Sequence, residues 1–355
     1  MTSLSPQGFD LTDSEWFLHD IDPASGRAGF VRTDRASLSA EPFLDHRWRA
    51  ADRSDAALPL ASLPVPTEPP RLGFIWHTSF CASTLLAACL DSPGLCLALK
   101  EPRALVILAA LKRGGGLGPG ASLAKSVFGL MARRFKADEQ ILIKPSNGAN
   151  ALILEAAALT CGPMLLLYSD CESFILSMAR QGRAGFAYVR ERFASLTADG
   201  HPISRWPAAH LLRLTDLELA ALVWRMEMDV LEAASLGLGD RARSLDCRLL
   251  LDDPGFVLAK ADDFLGLGLG RERLDAVVHG PLMRRDAKHP GKAFDHRARG
   301  EEKARLRALI GPDLPEVVRS IEQAFPRPPK LAAPLVGKAA SRRPFVDLGA
   351  AAPAA

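Results

Sequence analysis

The chain lacks the signatures of several common classes of protein. It has six cysteines among 355 residues and no Cys-x-x-Cys pair, which argues against a zinc site or a disulfide framework and predicts reduced, mostly buried thiols. No Gly-x-x-x-x-Gly-Lys-Ser/Thr sequence occurs, so an ordinary ATP or GTP hydrolase is not expected. The glycine run at 114–120 lacks the Gly-x-Gly-x-x-Gly spacing of a dinucleotide-binding loop. A nucleotide site in this chain must therefore follow another pattern.

Charge and hydropathy argue against two further classes of partner. The net charge of +3 is small for this length, so no chain-wide field predicts nucleic-acid binding. The most apolar long stretch, 151–168, contains Glu155 and Pro163, and the N-terminus lacks a basic run followed by an apolar core. We therefore expect no membrane insertion and a cytoplasmic location. Hydrophobic residues make up 48% of the chain, which excludes global disorder.

Composition divides the chain into three segments. Residues 1–70 are polar and end in a Pro-rich stretch, 63–70, that excludes helix and central strand. We expect this segment to be a polar extension or cap, or a segment that binds a partner protein. Residues 71–328 alternate short apolar runs with helical patterns and are expected to form the main domain. Residues 329–355 are rich in Ala and Pro and are expected to be a mobile tail.

The apolar runs of the main segment predict an α/β fold. Four of them have the pattern of buried strands separated by stretches long enough for helices: 72–76, 95–99, 141–144 and 164–168. Such strands, each followed by a crossover, indicate a central parallel sheet covered on both faces, which is a three-layer sandwich. Residues 249–251 are a candidate fifth strand, and residues 207–236 have the pattern of one long helix.

The first predicted strand runs into a candidate phosphate-binding loop. His77 ends the strand, and short side chains follow before the apolar helix pattern begins at Leu85. Small residues at a strand-to-helix turn leave backbone N–H groups free, and the helix dipole adds positive potential where an anion would sit. A nucleotide is therefore the expected ligand. The residues expected to hold it are Ser79, Cys81, Ala82, Ser83 and Thr84.

Taken together, the motifs along the chain resemble the bacterial P-loop sulfotransferases. "SFCASTLL" in the first loop is similar to the family's Cys-Gly-Ser-Thr form, and "LALKEPR", "LIKPSN" and "LLLYSDCESFILSMARQG" lie at the next three strands. "LDCRLLLDDPGFVLAKADDFLGLGL" looks like the family's acidic-Pro segment, helix and Phe-Leu-Gly-Leu, and "MRRDAKHPGKAFDHRARGEEKARL" is similar to its basic loop. The resemblance covers roughly residues 72–325. It implies a P-loop-type strand-loop-helix that binds 3′-phosphoadenosine 5′-phosphosulfate, and no metal is expected.

The resemblance also implies further nucleotide contacts, and the chain departs from the family pattern at two positions. Ser169 and Ser177 occupy the family positions of an Arg and a Ser, and Arg285 and Lys288 would approach the 3′-phosphate. Phe80 stands where the family has Lys or Arg. Losing cations at Phe80 and Ser169 removes charge-assisted hydrogen bonds that contribute about 1.5–3 kcal/mol each. Other side chains would have to replace them.

Three residues are candidates for catalysis. Sulfuryl transfer requires a base near the loop, and Glu101 after the second strand is placed for it. The alternative for Glu101 is a structural salt bridge with Lys100 or Arg103. Lys144 ends the third strand and could replace a missing cation, or it could be a solvated strand-end lysine. His77 could orient the loop or serve in packing alone.

The function that these features predict is sulfotransferase-like. We expect transfer of a sulfuryl group from 3′-phosphoadenosine 5′-phosphosulfate to a hydroxyl or amine of an unknown small-molecule acceptor. One alternative is another nucleotide-dependent, kinase-like transferase, which needs a metal-binding acid near the loop, where Asp170 is the local candidate. The other is a catalytically degenerate binding or interaction protein on the same fold, which Phe80 and Ser169 favour.

Overall fold

The first described residues form a three-stranded antiparallel sheet. The computed structural model describes residues 9–48, 55–118, 121–284 and 296–336. The elements of this first unit are β1 (Trp16–Asp22), β2 (Arg27–Arg32), α1 (Arg35–Ala40) and β3 (Ala56–Pro59), with sheet order β1-β2-β3. In the turn between β1 and β2, the Asp22 carboxylate accepts hydrogen bonds from the backbone of Ala24 and Ser25, which fixes the hairpin.

A five-stranded parallel sheet forms the centre of the fold. Its strands are β4 (Gly73–His77), β5 (Cys96–Lys100), β6 (Gln140–Lys144), β7 (Met164–Tyr168) and β8 (Ala242–Asp246). They lie in the order β5-β6-β4-β7-β8, and each neighbouring pair is parallel. The four apolar runs chosen from the sequence are the first four of these strands, because strands buried on both faces carry few polar residues.

Helices connect and follow the parallel strands. They are α2 (Ser83–Leu90), α3 (Arg103–Arg113), α4 (Ser122–Met131), α5 (Ile153–Leu159), α6 (Cys171–Gln181), α7 (Arg183–Ala198), α8 (Ala208–Leu211), α9 (Asp216–Leu238), α10 (Cys247–Asp252), α11 (Pro254–Leu265), α12 (Arg271–His279), α13 (His296–Ile310) and α14 (Leu314–Ala324). Short 3-10 turns lie at Leu60–Ser62, Asn147–Leu152, Pro202–Arg205, Gly239–Arg241 and Pro281–Arg284. Among the described residues, none of these helices combines the length and apolar character needed to span a bilayer.

Alternate side chains of the parallel strands pack into two hydrophobic clusters, one on each face. Phe74 and Trp76 of β4 join α3, α4, α5 and the N-terminal sheet, whereas Ile75 joins α2, α10, α11 and α12. The period of two along a strand sends successive side chains to opposite faces. The predicted three-layer α/β sandwich is confirmed. The N-terminal sheet shares the first cluster, because Phe17 and Phe30 are buried there with β4.

A third cluster is formed mainly by helices. Helices α6, α7 and α9, which lie between β7 and β8 along the chain, bury apolar side chains against one another and against α14 near the C-terminal end of the described residues. The predicted single helix over 207–236 is wrong, since α8 ends at Leu211 and α9 begins after Thr215. The Thr215 hydroxyl and the Glu218 carboxylate form a capping box, which starts a new helix at Asp216.

The predicted fifth strand at 249–251 is also wrong. These leucines lie in α10, because the Asp246 carboxylate accepts from Arg248 N and caps a helix there. The fifth strand is β8, which precedes them. Residues of the predicted tail pair with this strand: Ser244 N donates to Ala333 O at 3.0 Å, and Leu335 N donates to Ser244 O at 2.8 Å. Residues 337–355 lie outside the described residues, and the segment boundaries at 70 and 328 stay predictions.

Candidate active site at the carboxyl edge of the sheet

The candidate site lies where the parallel strands end. The chain leaves β4 towards β5 on one side of the sheet, and it leaves β7 towards β8 on the other. Ligands of open α/β sheets bind at such a switch point, outside the carboxyl ends of the strands. The loop after β4, residues 78–82, lies next to the loop after β7, since Ser169 N donates to Thr78 Oγ1 at 3.4 Å.

Backbone strain is concentrated at this edge. Among the described residues, three non-glycine residues have positive φ: Phe80 at 58°, Ala82 at 59° and Glu101 at 56°. All three lie between the end of β4 or β5 and the helix that follows it. Ala82 is the N-cap of α2 in the left-handed conformation, and no side chain caps the first turn of that helix. Residues other than glycine rarely adopt this backbone conformation, and such strain is enriched at ligand-binding loops.

The loop after β4 is held by buried polar contacts. Thr78 N donates to Leu167 O at 3.0 Å, and Cys81 Sγ lies 2.8 Å from Thr78 O. The buried His77 ring lies between two loops, with Nδ1 2.7 Å from Thr78 O and Nε2 2.9 Å from Pro145 O. Burial, together with the charge of Lys144, lowers the pKa of His77 to about 3. A neutral ring donates from one nitrogen, and both nitrogens face carbonyl oxygens.

Two buried hydroxyls at the loop have no hydrogen-bond partner among the described residues. They are Thr84 Oγ1, in the first turn of α2, and Ser169 Oγ, directly after β7; the two residues are 3% and 1% exposed. Ser83 is buried beside Thr84, while the hydroxyl of Ser177 donates to Ser173 O at 2.8 Å within α6. Buried polar groups are nearly always paired, so unpaired ones indicate strain or a ligand.

Glu101 and Lys144 are brought together as a buried ion pair. Lys144 is 1% exposed and its ammonium donates to Glu101 Oε1. Arg47, from the N-terminal segment, donates through Nη2 to Glu101 Oε2 at 2.6 Å. Burial alone would raise the pKa of Glu101, but the charges of Lys144 and Arg47 outweigh it and hold this pKa below its usual range. The solvated-lysine alternative is therefore wrong for Lys144.

The salt bridge expected as the alternative for Glu101 exists, but with other partners. Lys100 donates to Ser39 O at 2.6 Å, and Arg103 pairs with Asp20 at 3.1 Å. Sequence reasoning could not find Arg47, because it lies 54 residues from Glu101 along the chain.

A second buried polar cluster links the loop to the helical cluster. Asn147 Nδ2 lies 2.7 Å from Ser79 Oγ, 2.6 Å from the Tyr188 hydroxyl and 2.8 Å from Glu227 Oε1. Arg192 Nε donates to the same carboxylate oxygen at 2.6 Å, and Glu227 is fully buried. These residues were missed from the sequence. An acid on the apolar side of the long helical pattern was the available signal for Glu227.

Of the remaining residues singled out from the sequence, two have contacts within the protein and two lie outside the described residues. Phe80 packs against Tyr188 at 5.8 Å between ring centroids, at the border of the helical cluster. Asp170 caps α6, and its two oxygens accept from the backbone and hydroxyl of Ser173 at 2.8 Å each. Arg285 and Lys288 lie outside the described residues. Within the described ranges, no group of three or more His, Cys, Asp or Glu side chains could hold a metal ion.

The fold and site define an α/β protein with a strained strand-loop-helix at the switch point of its sheet. No protein-family model and no curated protein sequence matches the chain. Among solved structures it is similar to a sulfotransferase domain from the curacin biosynthetic pathway, with TM-score 0.44 and 14% identity over 69% of this chain and 99% of that one. It is also similar to a sulfotransferase domain from the Synechococcus PCC 7002 olefin synthase, with TM-score 0.41 and 17% identity over 75% and 98%. Likeness at this level carries no argument about activity.

Proposed function

We propose that the chain is a sulfotransferase-like transferase that binds 3′-phosphoadenosine 5′-phosphosulfate at the loop after β4. The carrying observation is the pair of buried, unpartnered hydroxyls, Thr84 Oγ1 and Ser169 Oγ, on the two loops of the switch point. The bound nucleotide would supply the sulfuryl group, and a small molecule would accept it on a hydroxyl or amine. The sequence motifs that resemble the bacterial P-loop sulfotransferases support the same function.

The loop suits the 5′-phosphosulfate part of this donor. Its strained backbone at Phe80 and Ala82 precedes a helix whose first turn has no side-chain cap. The first N–H groups of a helix have no partner within it, and the helix dipole favours an anion there. Hydroxyls of Thr84 and Ser169 would then donate to phosphate or sulfate oxygens, which removes the cost of leaving them unpaired.

Lys144 is the cation proposed to stabilise the developing charge on the leaving phosphate. Lys144 ends β6, which pairs with β4, and its charge helps to lower the pKa of His77 at the end of β4. Glu101 has both oxygens bound to cations. A role for Glu101 as the base that accepts the acceptor's proton stays a prediction, because it would require one of these cations to move.

The structure also offers support for an alternative function, a binding protein that has lost catalytic activity. Phe80 fills the family's cation position with a neutral ring, and Lys144 is already paired with Glu101. The kinase-like alternative has less support, since the Asp170 carboxylate caps α6 and lies 3.6 Å from the Arg248 guanidinium, whose positive charge opposes a metal ion there.

Thermal unfolding with 3′-phosphoadenosine 5′-phosphate, ADP or ATP with magnesium tests the proposal. A ligand at about a hundred times its dissociation constant stabilises the native state by roughly 2.7 kcal/mol. We expect a response to the 3′-phosphorylated nucleotide. A response to ATP with magnesium alone would favour phosphoryl transfer, and no response to any nucleotide would contradict the proposal.

Hydroxyl deletions locate the binding. Thr84→Val and Ser169→Ala should leave the ligand-free stability unchanged or higher, because the deleted hydroxyls are unpaired, yet weaken nucleotide binding. Thr160→Val is the matched control, since the buried Thr160 hydroxyl donates to Ala156 O at 2.6 Å. It should lower stability and leave nucleotide affinity unchanged. Lys144→Ala should abolish transfer, measured as release of the desulfated nucleotide.

A further inference from the structure

The N-terminal segment 43–48 lies along the carboxyl edge of the sheet. Leu44 N donates to Lys100 O at 2.7 Å, and Arg103 N donates to Leu44 O at 3.0 Å, so the segment is hydrogen-bonded to the end of β5 and to the start of α3. The Arg47 guanidinium stacks on Phe43, with Cζ 3.4 Å from the ring centroid. Backbone bonds and this stacking fix the position of Arg47 at the site.

Arg47 belongs to a row of alternating charges. Its Nε lies 2.9 Å and 3.0 Å from the two Asp45 oxygens, and its Nη2 lies 2.6 Å from Glu101 Oε2. Lys144 donates to the other oxygen, Glu101 Oε1. Each oxygen of Glu101 therefore has its own cation. Of the two, Lys144 comes from β6, beside the loop, and Arg47 comes from outside the parallel sheet.

This arrangement bears on how Lys144 could become available to an anion. With Lys144 as its only partner, Glu101 would become an unpaired buried carboxylate whenever Lys144 turned away, which carries a large penalty. Arg47 keeps Glu101 paired in that state. The Arg47 side chain is 44% exposed, so it reaches Glu101 from the solvent side of the site.

We propose that Arg47 is a positioning residue: it holds Glu101 so that the Lys144 ammonium can leave Glu101 and pair with the anionic group of the bound nucleotide. The inference rests on the proposed function and assigns a role in it to the N-terminal segment. Arg47 acts through Glu101 and does not itself contact the nucleotide.

A double-mutant cycle separates this role from direct contact. Calorimetric affinity for 3′-phosphoadenosine 5′-phosphate is measured for the unaltered protein, Arg47→Gln, Glu101→Gln and the double variant. We expect Arg47→Gln to weaken binding about tenfold, equivalent to ~1.4 kcal/mol. Glu101→Gln removes the charge that Arg47 neutralises, so the double variant should bind as tightly as Glu101→Gln alone. Equal losses from Arg47→Gln in both backgrounds would mean direct contact and overturn the proposal.

Arg32→Gln is the matched control. Arg32 also pairs with a carboxylate of the N-terminal unit, Glu15 at 3.1 Å, but lies on the exposed end of β2 away from the site. Its affinity should equal that of the unaltered protein. A tenfold loss in this control too would assign the effect to the unit's general charge and overturn the role given to Arg47.

A ligand-free measurement keeps the two proposals distinguishable. The charged or titratable groups that face Glu101 are Lys144, Arg47 and His77, and its pKa is held low. A lowered carboxyl pKa contributes stability that is lost as pH falls through the folded-state value. Arg47→Gln should move this acid-side loss of unfolding free energy to higher pH. If Arg47→Gln and the unaltered protein lose unfolding free energy over the same acid pH range, Arg47 does not hold Glu101, and the proposal is overturned. If the range shifts but no nucleotide binds, the proposed function is overturned, and with it the transfer of Lys144 from Glu101 to the nucleotide.

Discussion

The hydroxyl of Tyr188, on α7, contacts the hydroxyl of Ser79, on the loop after β4. Asn147, from the turn after β6, donates to both. Three separate parts of the chain therefore meet in one buried polar cluster beside the candidate nucleotide loop. Because such a cluster tolerates few side-chain arrangements, it fixes the loop against the helical cluster.

Tyr188→Phe should lower the free energy of unfolding by about 1–3 kcal/mol, because the buried groups of Ser79 and Asn147 lose a partner. Burial raises the pKa of Tyr188. The chain has two tyrosines, and Tyr168→Phe is the matched control, with an expected change within about 0.5 kcal/mol. Urea unfolding of both variants measures the difference. Equal losses would show that the Tyr188 hydroxyl has no special role in the cluster.

The strands could be predicted from the sequence because burial on both faces leaves a local signature. Runs such as 72–76 and 164–168 are apolar throughout, and both became strands of the parallel sheet. The run at 249–251 has the same composition but follows Asp246, whose carboxylate caps a helix. Composition alone could not decide between the two, since short apolar runs fit strand and buried helix equally well.

The candidate site was predictable where its residues directly follow a strand or stand in a family motif. His77 ends β4, and residues 78–84 follow it directly and stay together in the structure. Arg47 and Glu227 join the site through contacts over 54 and 80 residues of chain, respectively. No spacing rule encodes such a contact. The sequence identifies Phe80 as a departure from the family pattern. It does not predict the contact of its ring with Tyr188, because that contact depends on the placement of α7.

His77 should make the protein less stable below neutral pH. Its folded-state pKa is about 3, lowered by burial and Lys144, against an ordinary value near 6.5. In the unfolded chain the ring takes up a proton as pH falls below about 6.5, and in the folded protein it does not, so stability is lost between those two values. Between pH 7 and 5 the loss amounts to about 2 kcal/mol.

His77→Gln removes this dependence. Relative to the unaltered protein, its free energy of unfolding should rise by about 2 kcal/mol between pH 7 and pH 5, measured by urea unfolding at each pH. His279→Gln, on the exposed last turn of α12, is the control and should keep the pH profile of the unaltered protein. A His77→Gln profile parallel to that control would mean that His77 is protonated in the folded state.

Ala82→Gly tests the strain of the loop. An alanine at φ 59° costs about 1–2 kcal/mol, and a glycine adopts this conformation freely but adds about 0.4–1 kcal/mol of unfolded-state entropy. The free energy of unfolding should therefore stay unchanged or rise by up to about 1 kcal/mol. Ala88→Gly, within the same helix α2, should lose about 1 kcal/mol. Equal losses in both variants would show that Ala82 is unstrained.

Phe80→Lys tests whether the missing cation limits nucleotide binding. The substitution places an ammonium beside the proposed phosphosulfate site, where a charge-assisted hydrogen bond contributes about 1.5–3 kcal/mol. Affinity for 3′-phosphoadenosine 5′-phosphate should rise at least about tenfold and fall with added salt. Loss of the ring contact with Tyr188 should lower stability by about 0.5–1.5 kcal/mol.

Two controls separate the new charge from its side effects in that experiment. Phe80→Met removes the ring without adding charge, and Leu212→Lys adds the same charge at a residue that is 86% exposed. Calorimetry at low and high ionic strength should give the gain in affinity for Phe80→Lys alone. If Leu212→Lys gains as much, the effect is long-range attraction of a charged ligand. If Phe80→Lys binds no tighter than Phe80→Met, the loop does not face the phosphosulfate, and a catalytically degenerate protein becomes the better account of Phe80.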